Sequence, residues 1–218
     1  MACTVPYSAC AAPMPTAGFQ LCRRASCSQL SPEAQPFQPR ATMVQWQRPP
    51  VDWYKLNFDG SVQNHGSGKA SIGGVIRDWH GRVVIAFGET TEHASVGKVE
   101  ARALVRGLEL ALGHFMGRLV VEGDDKVLVQ LLRGEETQTR IPQALQEEIL
   151  APLGRFEECD VRHVFREGNQ VADALCRVAY QRPGLWYGGG MLPLCVLEKA
   201  RDDAHGVAHE RIRKPYQV

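Results

Sequence analysis

The chain has 218 residues, 44% hydrophobic and 22% charged, which is enough for one well-buried core with tails. No apolar run reaches the roughly 18 residues that a membrane-crossing helix needs, so no membrane partner is expected. The formal net charge is +1, but residues 1–43 carry Arg23, Arg24 and Arg40 against Glu33 alone, while residues 44–180 carry 16 Lys and Arg against 19 Asp and Glu; a slightly acidic folded part excludes a grip on nucleic acid by bulk charge, and a polyanion would have to meet a local groove or bound cations.

Seven cysteines (Cys3, Cys10, Cys22, Cys27, Cys159, Cys176 and Cys195) form no CxxC pair and are odd in number. That supports neither a zinc nor a disulfide framework, and a reducing compartment is the default. Residues 1–45 are rich in Ala, Ser, Cys and Pro and show no periodicity. Two readings stand for them: an organelle transit segment, which would take the chain to a chloroplast or mitochondrion, and a disordered leader, which would leave it in the nucleus or cytoplasm.

The folded part is expected over residues 46–180. "QWQRPPVDW" is an extended lead-in, because its paired prolines forbid regular structure. "YKLNFDGS" alternates as a strand, with Leu56 and Phe58 on one face and Lys55, Asn57 and Asp59 on the other. A loop then leads into a second strand in "KASIGGVIRD", and "DWHGR" turns tightly into a third, "RVVIAFGET". Short turns make these three antiparallel neighbours. From Lys98 the period changes: Ala101, Leu104, Leu108, Ala111, Leu112 and Phe115 trace one helical stripe. "RLVVEGDD" is an apolar strand ending in acids. "KVLVQLLRG" is a brief helix stopped by Gly134, and "PQALQEEILAPLGRF" another helix, bent near Pro152. "CDVRHVFRE" alternates again, and "NQVADALCRVAY" is a helix with Asn169 as its cap. Antiparallel hairpins followed by alternating helix and strand imply an α/β mixed sheet with helices packed on it. Residues 181–218 break the pattern and are expected to form a C-terminal appendage.

Four acids sit where neither a strand nor a core needs them. Asp59 closes the first strand, and Asp124, beside Asp125, closes the apolar one; the crevice beyond strand ends is where such sheets place their sites. Glu100 lies on the sheet-facing stripe, one turn before Leu104, and Asp173 lies in the first turn of its helix between Ala172 and Ala174. Singly, each has an ordinary explanation: a turn residue for Asp59, a helix-dipole acid for Glu100 and Asp173, a helix cap for Asp124 with Asp125 as its rival. Together they would repel one another, and no lysine or arginine holds a matching strand-end position. Oxygen ligands without Cys or His companions suit Mg²⁺ or Mn²⁺ rather than Zn²⁺.

The segments "KLNFDGS", "GGVIRDWHGRVV", "VEARALVRGLELAL", "VEGDDKVLVQLL" and "HVFREGNQVADAL", in this order, resemble the ribonuclease H family, and within it the plant-type ribonuclease H-like domain of the reverse-transcriptase-associated group. The resemblance implies a ribonuclease H-like fold, with a five-stranded mixed sheet flanked by helices, and an endonuclease that cuts the RNA strand of RNA–DNA hybrids with two Mg²⁺ or Mn²⁺ ions. It implies that Asp59 bridges both metals, that Glu100 and Asp124 complete one site, and that Asp173 holds the metal that activates the attacking water. The backbone at Gly60 and Ser61 would meet RNA 2′-hydroxyls. Three departures accompany the match. The loop "FREGNQVAD" lacks the histidine that bacterial members carry, and Arg166 at its start either assists product release or is a surface cation. The basic helical handle of some members is absent from "LLRGEETQTRIPQ". Gly123 stands where this group usually has serine. No obligate protein partner is evident, and weak grip or a partner that supplies it both stand. The alternative function is a retroelement-derived domain that binds nucleic acid with little or no catalysis.

Outside these motifs, His205 and His209, four apart, could form a metal pair on a helix, and Trp186 and Tyr187 could stack on bases or pack on the core. Lys69, after the glycine-rich loop, could touch phosphate.

Overall fold

The computed structural model describes residues 41–63, 68–135 and 138–212. The choice between transit segment and leader therefore falls outside the described residues, except that Ala41–Gln45 form a strand, β1.

The expected alternating segments become β2 (Tyr54–Gln63), β3 (Lys69–Arg77) and β4 (Val83–Thr91), an antiparallel meander. Helix α1 (Val96–Gly113) returns the chain to β5 (Arg118–Gly123), which pairs parallel to β2. Helices α2 (Lys126–Leu132) and α3 (Gln143–Leu153) lead to β6 (Glu158–His163), parallel to β5, and α4 (Gln170–Ala179) follows. These five strands and four helices are the ones the sequence pattern outlines. Pro152 falls in the last turn of α3, where it removes one i→i−4 hydrogen bond and the helix ends a residue later.

Beyond Tyr180 the chain does more than trail away. Gly184–Tyr187 form β7, which adds antiparallel to β4, so the main sheet has six strands in the order β6-β5-β2-β3-β4-β7. Its signal was weak because only four residues pair and three glycines follow directly. Helix α5 (Leu194–Ala204) and strand β8 (Ala208–Ile212) come next, and β8 pairs antiparallel with β1, so the two flanks of the domain meet in a small second sheet. Among the described residues no helix is long and apolar enough to cross a membrane.

The strand alternation decides what each face buries. Leu56 and Phe58 of β2, with Val121 of β5 and Ile76 and Ile85, pack under α1 through Leu104 and Leu108, all without solvent exposure. The opposite face carries Val75 and Ala86 against Val171 and Leu175 of α4, Val196 of α5 and Trp186 of β7. Trp186 is thus a core residue, whereas Tyr187 is exposed.

That second face also buries charge. Lys55 has no solvent exposure; its Nζ donates to Glu122 Oε1 at 2.5 Å and to the Gln47 carbonyl at 2.6 Å. Asn57 donates to Glu122 Oε2 and accepts from Trp46 Nε1 and Arg77 Nη2. Arg77 reaches Asp203 of α5 at 2.7 Å and stacks 3.7 Å from the centre of the Trp46 ring. Burial pushes the Lys55 ammonium below its ordinary pKa, and the Glu122 carboxylate opposes that shift. This network ties the lead-in and α5 to the middle of the sheet.

Candidate active site

Strands β2 and β5 run side by side only as far as Asn57 and Glu122, after which β2 continues along β3 to Gln63 while β5 stops at Gly123. The next side chain of β2 on that face is Asp59, and the residue after β5 is Asp124, so both carboxylates border the gap where the parallel pairing ends. Asp59 therefore sits inside a strand rather than closing one. Asp125, and not Asp124, caps α2: its carboxylate accepts from the Val127 and Leu128 N–H groups. The rival for the capping job takes it, which leaves Asp124 free for the gap.

Glu100 arrives from α1. The helix begins at Val96, two residues earlier than the periodicity indicated, so Glu100 stands in its second turn. Gly60 lets it approach: a Cβ there would lie 2.5 Å from the Glu100 backbone nitrogen. The requirement at Gly60 is thus close packing of helix on strand. One oxygen each from Asp59, Glu100 and Asp124 lie within 4.8 Å of one another. Asp59 and Glu100 are 8% and 5% exposed, so the cluster is walled off on the protein side.

Electrostatics follow from that burial. Desolvation, with the charges of Asp124 and Asp173 added, raises the Asp59 carboxyl to about 7. Glu100 is pushed well above the ordinary carboxylate range, first by burial and then by Asp59. Burial raises Asp124 as well. Glu100 Oε2 is buried without a hydrogen-bond partner. A buried, unpartnered carboxylate oxygen facing two further carboxylates is costly unless a cation joins them. An all-oxygen donor set suits a hard divalent ion, so the residues fit the metal that the sequence motifs imply.

Asp173 differs from the other three. It adds its charge to the field at Asp59, yet Arg166 Nη2 lies 3.1 Å from its Oδ1 and Arg177 Nη2 2.7 Å from its Oδ2. Neither arginine comes from a strand end: a turn at Arg166–Gly168 and the i,i+4 spacing along α4 bring them to Asp173. Asn169 does stand at the N-cap position of α4, its carbonyl accepting from the Asp173 N–H, but its side chain makes no capping bond; its Nδ2 donates instead to the Phe58 carbonyl at 2.8 Å and clamps the turn to β2 beside Asp59. Gly123 does not loosen the strand end, because a Cβ there would run into the Phe58 ring, so glycine is what the packing of β5 requires. Ser61 is held by Tyr180, whose hydroxyl donates to its carbonyl at 2.8 Å.

Several residues singled out in the sequence lie elsewhere. His205 ends α5 and His209 is in β8, so they share no helix, and the metal-capable group found among the described residues is the acidic one. Lys69 is exposed at the start of β3 beside residues 64–67, which lie outside the described part. His163 ends β6, with Nε2 at 3.2 Å from the Asp124 carbonyl.

A mixed sheet with this strand order, and acids converging where its parallel pairing stops, defines a ribonuclease H-like domain of plant type. A family model described as reverse transcriptase-like matches residues 57–179, more than half of the chain, and the chain belongs to that family. A curated Arabidopsis thaliana protein, named as a candidate ribonuclease H protein, is 28% identical over 175 residues. That match takes in 80% of this chain and 28% of the Arabidopsis protein, so the chain spans just over a quarter of that relative's length. Among solved structures, ribonuclease H1 from the archaeon Halobacterium salinarum is 28% identical with a TM-score of 0.53, covering 58% of this chain and 96% of the archaeal one. The ribonuclease H1 called LC11, solved with an RNA/DNA hybrid, is 24% identical with a TM-score of 0.51 over 58% and 95% of the two chains, and speaks for the fold alone.

Proposed function

We propose that this chain is a metal-dependent endonuclease that hydrolyses the RNA strand of RNA–DNA hybrids. The observation that carries the reading is the convergence of two buried carboxylates, one with an unpartnered oxygen, and the half-buried Asp124 at the end of the parallel strand pair. The ribonuclease H names borne by relatives 28% identical to it support the same reaction class.

In this reading Asp59, Glu100, Asp124 and Asp173 hold two ions, Mg²⁺ or Mn²⁺. Such ions polarise the phosphate and lower the pKa of water enough to supply a nucleophile at neutral pH. The chain's own work is positioning. Asp59 is fixed by β2, with Asn169 bonded to the preceding carbonyl and the Cys176 thiol donating to Asp59's own carbonyl at 3.0 Å. Arg166 and Arg177 hold both oxygens of Asp173, and Arg166 is placed to follow charge changes there during turnover. The backbone of Gly60 and Ser61 borders the cluster and is the proposed meeting place for RNA 2′-hydroxyls.

The test is incubation of the purified chain with Mg²⁺ or Mn²⁺ and an end-labelled hybrid, beside Asp59→Asn. Cutting of the RNA strand by the wild type is expected, with a loss in the variant larger than the roughly 100-fold typical of losing a ligand's outer partner. Hybrid retained on a filter by the wild type but left uncut would contradict the proposal and favour a binding domain.

A further inference from the structure

The C-terminal strand β8 brings Arg211 to the rim of the acidic gap, where a cavity of about 320 Å³ opens between Asp124, Lys126, His163, Phe165, Arg166 and Arg211. We propose that this cavity is a subsite for a nucleic-acid backbone phosphate next to the one that is cleaved, with Arg211 as the donor that β8 contributes. The inference rests on the nuclease reading above, because it takes the acidic gap as the point where the backbone is cut.

Three observations carry it. The first is charge. Lys126, Arg166 and Arg211 line the cavity with the carboxylate of Asp124; Arg166 and Arg211 each share one ion pair with an acid outside the lining, Asp173 and Glu167, so the cations facing the cavity outnumber its acids although residues 44–180 carry more acids than bases. That local excess is the kind of groove a slightly acidic domain needs in order to hold a polyanion. Lys126 is exposed, and among the described residues no carboxylate lies within ion-pair distance of it.

The second is preorganisation. The Arg211 guanidinium lies 4.0 Å from the centre of the Phe165 ring, and its Nη1 donates to Glu167 Oε2 at 3.0 Å. His163 meets the same ring edge-on at 5.4 Å. Stacking fixes the guanidinium plane while leaving edge N–H groups unspent, the geometry that suits a two-point contact with phosphate. Less side-chain entropy is then lost when an anion arrives.

The third is how Arg211 gets there. β8 is held by pairing with β1 from the other flank, Glu210 opposite Met43 and Arg211 opposite Thr42. Asp203, just before β8, is bound to the buried Arg77. Both flanks are thus fastened to the sheet in a way that sets one arginine beside the gap. A volume near the lower end of the range for ligand pockets admits a phosphate with its sugar.

The test uses the full chain in an Asp59→Asn background, so that hybrid stays intact, and measures hybrid affinity by filter retention from about 50 to 200 mM salt. Arg211→Gln and, separately, Lys126→Gln are compared with Arg155→Gln, an exposed cation beside the far end of α1. Expected is an affinity loss of about tenfold for Arg211→Gln, with the slope of log affinity against log salt shallower by about one. A smaller loss of the same kind is expected for Lys126→Gln, which lies outside the β1–β8 sheet and keeps the test valid if β8 loosens. The slope for Arg155→Gln should stay at its starting value. If both cavity variants bind with unchanged affinity and slope while the wild type still cuts hybrid, the subsite is overturned and the nuclease stands. If the wild type neither retains nor cuts hybrid, both fall together.

Discussion

Two groups of buried charge draw on one face of β2, Lys55 and Asn57 in the first and Asp59 in the second. At one end, Lys55 and Glu122, Arg77 and Asp203 close on one another as opposite charges, with Asn57 and Trp46 bonded between them, although Arg77 Nε is buried without a partner. At the other end, two residues further along β2 and β5, Asp59 and Asp124 meet Glu100 with no cation among the three, and one carboxylate oxygen is left without a partner. Charge is costly to bury in either place. The first group compensates itself within the chain and is structural; the second is compensated only by something from outside, and that difference separates a frame from a site.

The contrast can be broken by damaging the frame. Lys55→Met leaves Glu122 buried without its cation, which is expected to cost about 3–5 kcal/mol of stability, whereas Lys55→Met with Glu122→Leu should recover most of that loss. Chemical denaturation of the three proteins measures it. A double variant as unstable as the single one would mean that Lys55 acts through Gln47 and the lead-in rather than through Glu122.

A smaller effect sharpens the other side. With Asp59 raised to about 7 in the folded chain and near 3.8 when unfolded, the folded state holds the extra proton between those values. Stability of the metal-free protein should then fall as pH rises from about 4 to 7 and level off above, because unfolding lets the carboxyl ionise in water. Thermal melting in EDTA checks this: Asp59→Asn should show a flatter profile over that range, and added Mg²⁺ should lift the wild type most at the high end. A wild-type profile as flat as the variant's would remove the electrostatic cost from the cluster.

Much of this was legible in the sequence for physical reasons that differ between elements. Alternation in "YKLNFDGS" placed Lys55, Asn57 and Asp59 on one face, and the helical stripe from Ala101 to Leu112 put Glu100 toward the sheet, local periodicities that survive folding; Phe115, read as the end of that stripe, lies past the end of α1 and is exposed. What stayed hidden depends on contacts far apart in sequence. Asn169 takes the N-cap position its sequence suggests, but its side chain bonds to Phe58, 111 residues away, rather than to the helix. Arg77 and Asp203 are 126 residues apart, and neither carries a local sign of its partner. β7 and β8 are five residues or shorter and exist because β4 and β1 offer them an edge. Asp124 and Asp125 could not be told apart as cap and ligand from their order, since both precede α2; the backbone at Asp125 decides it. The roles of the four acids, of Arg166 and of the Gly60–Ser61 backbone stand as proposals resting on that geometry.

The most direct measurement is an anomalous difference map from crystals of the chain grown or soaked with Mn²⁺. A peak contacted by carboxylate oxygens of Asp59, Glu100 and Asp124, and missing in Glu100→Gln, is what this account predicts. Crystals saturated with Mn²⁺ that show the three carboxylates in place and no peak between them would contradict it.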